Sequence, residues 1–146
     1  MSLVVDASVA LKWFLLEEPH ANQALAGVPG GATLSAPDFL IAEVCNAAWR
    51  SARLGRISQA QLDAIAATLP RFFDDLVSAS RLARRAVAIA GELDHPVYDC
   101  LYLALAEAEQ AAMVTSDMRL LGKVRATSWE QRVIDLIGYS PGSQEA

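Results

Sequence analysis

The chain has 146 residues, of which 53% are apolar and 20% are charged, and its formal net charge is −5. This length fits one domain with a sizeable core, which we place at residues 1–139, followed by a flexible tail at 140–146. The longest apolar run, residues 100–106, is far shorter than the roughly 20 residues that span a bilayer. The N-terminus lacks the basic flank and long apolar core of a signal peptide, so we expect a cytoplasmic protein without a membrane segment.

The few cysteines and histidines argue against several kinds of site. Cys45 and Cys100 lack the close spacing of a metal-binding or redox pair, which favours reduced, buried and inert thiols. His20 and His95 each adjoin a proline, and both have the sequence context of surface or capping residues. The sequence therefore offers few of the cysteine and histidine residues that a zinc site or a Ser-His-Asp triad needs.

Strand and helix patterns alternate along the chain. The predicted elements are, in order, a strand at 3–5, helices at 8–16 and 21–26, a strand at 33–36, helices at 39–53 and 59–68, a strand at 73–77, helices at 80–93 and from 96 onward, a strand at 112–115, a helix at 118–124 and a strand at 133–136. Ser8 opens its helix, Asp38, Ser58 and Ser80 are the expected caps, and Pro96 takes a first helical position, where its missing N–H does no harm. This alternation predicts an α/β domain with a mainly parallel central sheet of about four to five strands, flanked by helices.

Four carboxylates lie in apolar stretches at four separate points of the chain. Asp6 follows the first strand and Asp117 follows the strand at 112–115, while Glu43 and Asp99 lie near the starts of two helices. Parallel strands bring their carboxyl ends to one edge of the sheet, so these acids can converge. A buried, ionised carboxylate needs a partner charge or a metal ion, and a shared divalent cation is the simplest common solution.

The segments that carry these acids resemble the PIN-domain ribonucleases, and in particular the VapC toxins of bacterial toxin–antitoxin pairs. They are residues 4–14 (VVDASVALKWF), residues 37–46 around Glu43, residues 97–106 (VYDCLYLALA) and residues 114–121 (VTSDMRLL). The resemblance covers nearly the whole chain in order and length. It implies a single PIN-like domain with metal-dependent endoribonuclease activity.

The resemblance also implies roles for individual residues. Asp6, Glu43, Asp99 and Asp117 correspond to the catalytic, metal-binding acids. Asp6 and Asp99 are expected to contact the ion directly, with Glu43 and Asp117 holding a second ion or ordering the water. Mg²⁺ suits such hard oxygen ligands, and Mn²⁺ is expected to substitute.

Neighbouring polar residues are expected to support these acids. By the same resemblance, Ser8 and Thr115 match small hydroxyl positions beside the acids. Asn46 matches a common supporting position, three residues after Glu43 and on the same helix face.

Protein partners are a further implication of the resemblance. A small antitoxin, encoded beside this gene, is expected to bind a groove between the early helices, with Trp13, Phe14 and Leu40 as candidate contacts. A homodimer through another apolar helix face is also expected, and the antitoxin complex is then a hetero-oligomer. The substrate is expected to be a tRNA or another structured RNA.

The acidic net charge is compatible with an RNA substrate, because the four clustered acids account for most of it. The remaining surface is close to neutral and has room for local basic patches. Lys12, Arg50 and Arg119 lie near the acids in sequence and are the candidate phosphate contacts. Each of them also fits an ordinary solvated helix face.

Other protein classes account for the sequence less well. A haloacid-dehalogenase-like phosphatase needs a second aspartate two residues after the first, where this chain has Ser8. A phosphoacceptor receiver domain needs acids clustered near its first strand and a lysine on a late strand. A catalytically inactive PIN-like binding module and a PIN nuclease with a non-toxin role in RNA processing stay open as alternatives.

Overall fold

The computed structural model describes residues 2–15 and 31–136, which form a five-stranded parallel sheet with helices packed around it. The strands are Ser2–Val5 (β1), Thr33–Pro37 (β2), Asp75–Val77 (β3), Ala112–Thr115 (β4) and Val133–Asp135 (β5). Their order is β3-β2-β1-β4-β5, and every neighbouring pair is parallel. This confirms the predicted α/β class. The strand order reverses between β1 and β4, at the centre of the sheet.

Six α-helices accompany these strands within the described residues. They are Ala7–Lys12 (α1), Phe39–Arg53 (α2), Gln59–Thr68 (α3), Ala79–Leu93 (α4), Val97–Glu109 (α5) and Met118–Val124 (α6), and short 3₁₀ helices occupy Leu69–Phe72 and Glu130–Arg132. Ser58 and Gln61 form the predicted capping box at the start of α3. No helix of the described part is long and apolar enough to cross a membrane.

Helix α5 is the central helix of the core. Every residue from 100 to 106 is buried, because the helix contacts β1, β2 and β4 as well as α4. A helix that is apolar on all sides is stable only in such surroundings. This packing fixes the first turn of α5, which carries Asp99, beside the central strands.

Three helices begin at residues other than the predicted ones. Asp6, and not Ser8, caps α1, because its carboxylate accepts the N–H of Val9 at 3.1 Å. Helix α4 begins at Ala79, so that Ser80 lies inside its first turn. Pro96 precedes α5 and is not part of it.

Asp38 precedes α2 as predicted, but its side chain does not cap that helix. Its Oδ1 instead accepts the N–H of Ala79 at 3.0 Å, at the start of α4. The carboxylate therefore ties two helix N-termini together. The strands predicted at 73–77 and 133–136 are shorter, at 75–77 and 133–135.

The candidate partner contacts lie in different environments. Leu40 is fully buried in the core, so the expectation that it contacts a partner is wrong. Trp13 is buried and stacks on Phe72 at 5.2 Å between ring centroids, and Phe14 meets Phe72 edge-on at 5.4 Å. Phe72 is exposed, so this aromatic cluster reaches the surface.

Some predicted features lie outside the described residues. They are Leu16 at the end of the first predicted helix, His20, the short helix at 21–26 and the tail at 140–146.

The two cysteines are free thiols, as predicted. Cys100 is buried and Cys45 is half-buried. Burial raises the pKa of both and brings that of Cys100 to about 11, which makes them poor nucleophiles at neutral pH.

Candidate active site

The carboxyl ends of β1 and β4 lie side by side where the strand order reverses. Val5 is in register with Val114, and the N–H of Asp6 donates to the Val114 carbonyl at 3.3 Å. Asp6 then caps α1 and Asp117 caps α6, so each acid lies between a strand end and a helix start. Ligands of parallel α/β sheets bind in the crevice at this kind of reversal point.

Asp6 is a buried carboxylate with three hydrogen-bond donors. Ser8 Oγ donates to its Oδ1 at 2.6 Å, the backbone N–H of Val9 donates to the same oxygen at 3.1 Å, and Thr115 Oγ1 donates to Oδ2. Burial raises the pKa of Asp6 to about 6, although the bonds from Ser8, Thr115 and Val9 each lower it. At neutral pH the side chain is therefore a costly buried anion, which a nearby cation would stabilise.

The hydroxyl groups of Ser8 and Thr115 also hold the loop that follows β4. Ser8 Oγ accepts the N–H of Ser116 at 3.1 Å, and Thr115 Oγ1 accepts the N–H of Asp117 at 3.0 Å. Each hydroxyl thus accepts from the loop and donates its proton to Asp6. The structure places both residues beside the acid, where the sequence analysis expects them.

Asp99 is held by a histidine whose importance the sequence analysis missed. His95 was expected at the surface or as a cap, but it is buried, and its Nε2 lies 2.5 Å from Asp99 Oδ2. An ionised carboxylate can only accept, so His95 Nε2 carries the proton in this pair. The turn before α5 points the imidazole inward. The backbone N–H of His95 donates to the Ala90 carbonyl at 3.2 Å and holds this turn.

Glu43 has a partner of its own on α5. The hydroxyl of Tyr102, which is buried, donates to Glu43 Oε1 at 2.7 Å. Burial raises the pKa of Glu43, the bond from Tyr102 lowers it, and the nearby charge of Asp99 raises it. Glu43 is therefore a half-buried carboxylate with a fixed orientation.

Asp99 is the common neighbour of the other three acids. Burial raises its pKa, the hydrogen bond from His95 lowers it, and the charge of Asp117 raises it. The charge of Asp99 in turn raises the pKa of both Asp6 and Glu43. The four predicted acids thus come from four separate elements and interact electrostatically in one place.

The four acids do not form a closed metal cage on their own. Across residues 2–15 and 31–136, no three Asp, Glu, His or Cys side chains stand close enough together to enclose an ion. Such an arrangement is compatible with Mg²⁺, which usually keeps several waters and takes one or two carboxylates plus substrate phosphate oxygens.

Comparison with known proteins assigns the family. A family model for the PIN domain matches residues 3–125. The chain belongs to the PIN-domain family. It is also 33% identical, over 128 residues, to ribonuclease VapC3 of Pyrobaculum aerophilum, a match that covers 86% of this chain and 97% of that protein. The expected likeness to VapC proteins is thereby confirmed.

Solved structures share the PIN fold over almost the whole chain. A toxin–antitoxin complex from Klebsiella pneumoniae contains a chain that matches with a TM-score of 0.66 and 19% identity, covering 92% of this chain and 97% of that one. A Pyrobaculum aerophilum protein matches with a TM-score of 0.60 and 26% identity, covering 94% and 90%. A VapBC2 structure from Rickettsia felis, bound to promoter DNA, matches with a TM-score of 0.58 and 13% identity, covering 92% and 98%.

The donor set of this PIN domain fits a hard divalent cation. Asp6, Glu43, Asp99 and Asp117 offer carboxylate oxygens, and His95 is already engaged with one of them. Burial raises the pKa of Asp6, Glu43 and Asp99, so each carboxylate is more costly to ionise here than in water, and a bound cation would offset that cost. Oxygen-only donors with excess negative charge favour Mg²⁺ or Mn²⁺ over zinc.

The candidate RNA contacts differ in exposure. Arg50 on α2 and Arg119 on α6 are exposed, as a phosphate contact must be. Lys12 is only 7% exposed, in contrast to the expectation of a solvent-facing cation. Asn46, predicted to support Glu43, is exposed on α2.

Sequence reasoning missed two residues that orient the acids, His95 and Tyr102. Tyr102 has a usable signal in its spacing on α5, because it lies three residues after Asp99 and residues three apart share a helix face. It is also a polar side chain within the apolar run at residues 100–106, which predicts a buried hydrogen-bond partner. His95 lies in the turn before α5, so helical spacing gives no signal for it.

Proposed function

We propose that this chain is a Mg²⁺-dependent endoribonuclease and the toxin of a toxin–antitoxin pair. The observation that carries the proposal is the meeting of Asp6, Glu43, Asp99 and Asp117 at the reversal point of the sheet. The relation to ribonuclease VapC3 over almost its full length supports RNA as the substrate. The reaction is hydrolysis of a phosphodiester bond in a structured, cytoplasmic RNA such as a tRNA.

Each acid has a part in this reaction. Asp6 and Asp99 would hold the divalent ion, and Asp117 would hold a second ion or order the attacking water. When bound, a divalent cation lowers the pKa of water and polarises the phosphodiester. Because Oε1 of Glu43 accepts from Tyr102, we assign its Oε2 the proton of the attacking water.

The supporting residues keep these acids in position. Ser8 and Thr115 direct their hydroxyl protons at Asp6 and prevent its carboxylate from turning. His95 contacts Oδ2 of Asp99 and thereby sets the orientation of this carboxylate. Removal of a hydrogen bond to a metal-holding group typically lowers metal affinity or activity ten- to a hundred-fold.

An antitoxin partner is part of the proposal. The aromatic cluster of Trp13, Phe14 and Phe72 reaches the surface beside α1 and suits an apolar partner segment. An arginine or lysine of that partner would pair with the acids and compete with Mg²⁺. A homodimer through another helix face completes the proposed assembly.

The experiment is cleavage of total RNA by the purified protein, followed by sequencing of the new ends. We expect Mg²⁺-dependent fragments that vanish with a chelator and fall by orders of magnitude in Asp6→Asn and Asp99→Asn. Leu54→Ala is the matched control, because Leu54 is 68% exposed and lies outside the site.

Two results would contradict the proposal. Fragments that persist in both acid variants would mean a contaminating or metal-free activity. Absence of cleavage by the wild type, together with unimpaired growth of cells that express it alone, would mean an inactive binding module.

A further inference from the structure

The starts of α2 and α5 meet through two successive side-chain pairs. The rings of Phe39 and Tyr98 stack with centroids 5.2 Å apart and planes 12° from parallel. Four residues further along each helix, Tyr102 donates its hydroxyl proton to Glu43. Because residues four apart occupy the same helix face, the ring pair lies about one helical turn before the pair of Glu43 and Tyr102 on both helices.

Tyr98 is the outer ring of the stacked pair. Its side chain is 60% exposed, while Phe39 beneath it is half-buried. One face of Tyr98 therefore rests on Phe39, and the remaining surface is open to solvent. Tyr98 also directly precedes Asp99 in the first turn of α5, and it lies four residues before Tyr102, the hydrogen-bond partner of Glu43.

A second exposed apolar side chain adjoins one of the acids in sequence. Met118, which directly follows Asp117, is 63% exposed. An acidic centre with flat or apolar surface beside it matches the chemistry of a nucleotide. The phosphate of a nucleotide would bind at the metal-binding acids, and the apolar face of its base would stack on a neighbouring side chain.

We propose that Tyr98 is the stacking platform for a nucleobase next to the scissile phosphate. The inference rests on the proposed ribonuclease function and assigns a specificity-determining residue to the same site. A base within a duplex has both faces covered and cannot stack on a side chain. Phe39 holds the Tyr98 ring in one plane before RNA binds, so a third flat ring extends an existing parallel stack.

The test compares three single variants on one short RNA. The RNA is an unpaired oligonucleotide that contains a cleavage site mapped by end sequencing. Tyr98→Ala should raise KM about ten-fold or more, because stacking of a base on an aromatic side chain contributes on that scale. Tyr98→Phe should keep the wild-type KM, since it keeps the ring, and Leu54→Ala serves as the exposed apolar control.

A second substrate distinguishes stacking from a general loss of binding. An RNA that lacks the base beside the scissile phosphate should show a raised KM with the wild type. With Tyr98→Ala the missing base should add little further effect, because both changes remove the same contact. The rise of the melting temperature with Mg²⁺ should be the same in all variants, which would show that the acids remain intact.

The outcomes separate this inference from the function on which it rests. Equal KM values for Tyr98→Ala and Tyr98→Phe, with normal cleavage by the wild type, would overturn the stacking role alone. Weaker antitoxin binding with an unchanged KM would assign Tyr98 to the protein partner and also overturn it. Failure of the wild type to cleave any RNA would overturn the ribonuclease function and the stacking role together.

Discussion

Replacing Asp6 by Asn should stabilise the metal-free protein while it abolishes cleavage. Burial raises the Asp6 pKa from its ordinary 3.8 to about 6, a change worth about 3 kcal/mol at roughly 1.4 kcal/mol per unit. Asn removes the buried charge but presents an NH₂ group to Thr115 Oγ1, which already accepts from Asp117. Losing that hydrogen bond costs about 1 kcal/mol, so we expect a net gain of about 2 kcal/mol at pH 7.5.

The effect should depend on pH in a defined direction. The folded state retains the Asp6 proton up to about pH 6, whereas the unfolded chain releases it near 3.8. The stability of the wild type relative to the variant therefore falls as the pH rises through this window, and the advantage of Asp6→Asn should disappear towards pH 4. Added Mg²⁺ should reverse the order at pH 7.5, because only the wild type gains free energy from binding the ion.

The free energy of unfolding in urea, measured with a chelator at several pH values and again with Mg²⁺, tests these expectations. Asp94→Asn is the matched control, since Asp94 is exposed and its left-handed backbone suits Asn equally well. That control should stay within about 0.5 kcal/mol of the wild type. The reasoning would be refuted if the metal-free Asp6→Asn protein were less stable than the wild type at pH 7.5. It would also be refuted if the difference in unfolding free energy between the two proteins did not change with pH.

Three further predictions concern residues around the site and far from it. His95→Leu should lower the apparent Mg²⁺ affinity, measured from the rise of the melting temperature with Mg²⁺, about ten- to a hundred-fold. His95→Gln keeps a donor for Asp99 and should retain most of that affinity. Equal Mg²⁺ affinities of the two variants would argue against a positioning role for His95. Tyr102→Phe should lower kcat about ten-fold or more through the lost hydrogen bond to Glu43, and an unchanged kcat would mean that this bond does not matter for turnover. Arg132→Met should lower the free energy of unfolding in urea by about 2 kcal/mol, because Arg132 donates to the backbone carbonyl groups of Ala106 in α5 and Ala111 just before β4. RNA cleavage should remain intact.

The strands and the four acids were predictable because their signals are local. The apolar run that ends in Asp6 is too short for a helix and fits a strand buried on both faces, and the same holds for the run before Asp117. Helix starts were less predictable, since a polar side chain near a helix N-terminus has several possible partners. Asp38 shows this, because its carboxylate binds the start of α4 and not the start of its own helix.

His95 was mispredicted for a related reason. A histidine beside a proline indicates a turn, and most turns face solvent. The turn between α4 and α5 is exposed at Asp94 and Pro96 but directs His95 inward, where its ring meets Asp99. That burial is a tertiary property that the local sequence does not encode.

The contact between Asp6 and Thr115 joins two residues that are 109 positions apart. A growing chain that has not yet reached β4 holds Asp6 without the hydroxyl of Thr115, and without Asp117. Contacts of such long sequence separation form late, because the intervening loop must close first. The site that holds the four acids thus cannot assemble before β4 and the loop after it have been synthesised, and a product that stops short of β4 lacks both Thr115 and Asp117.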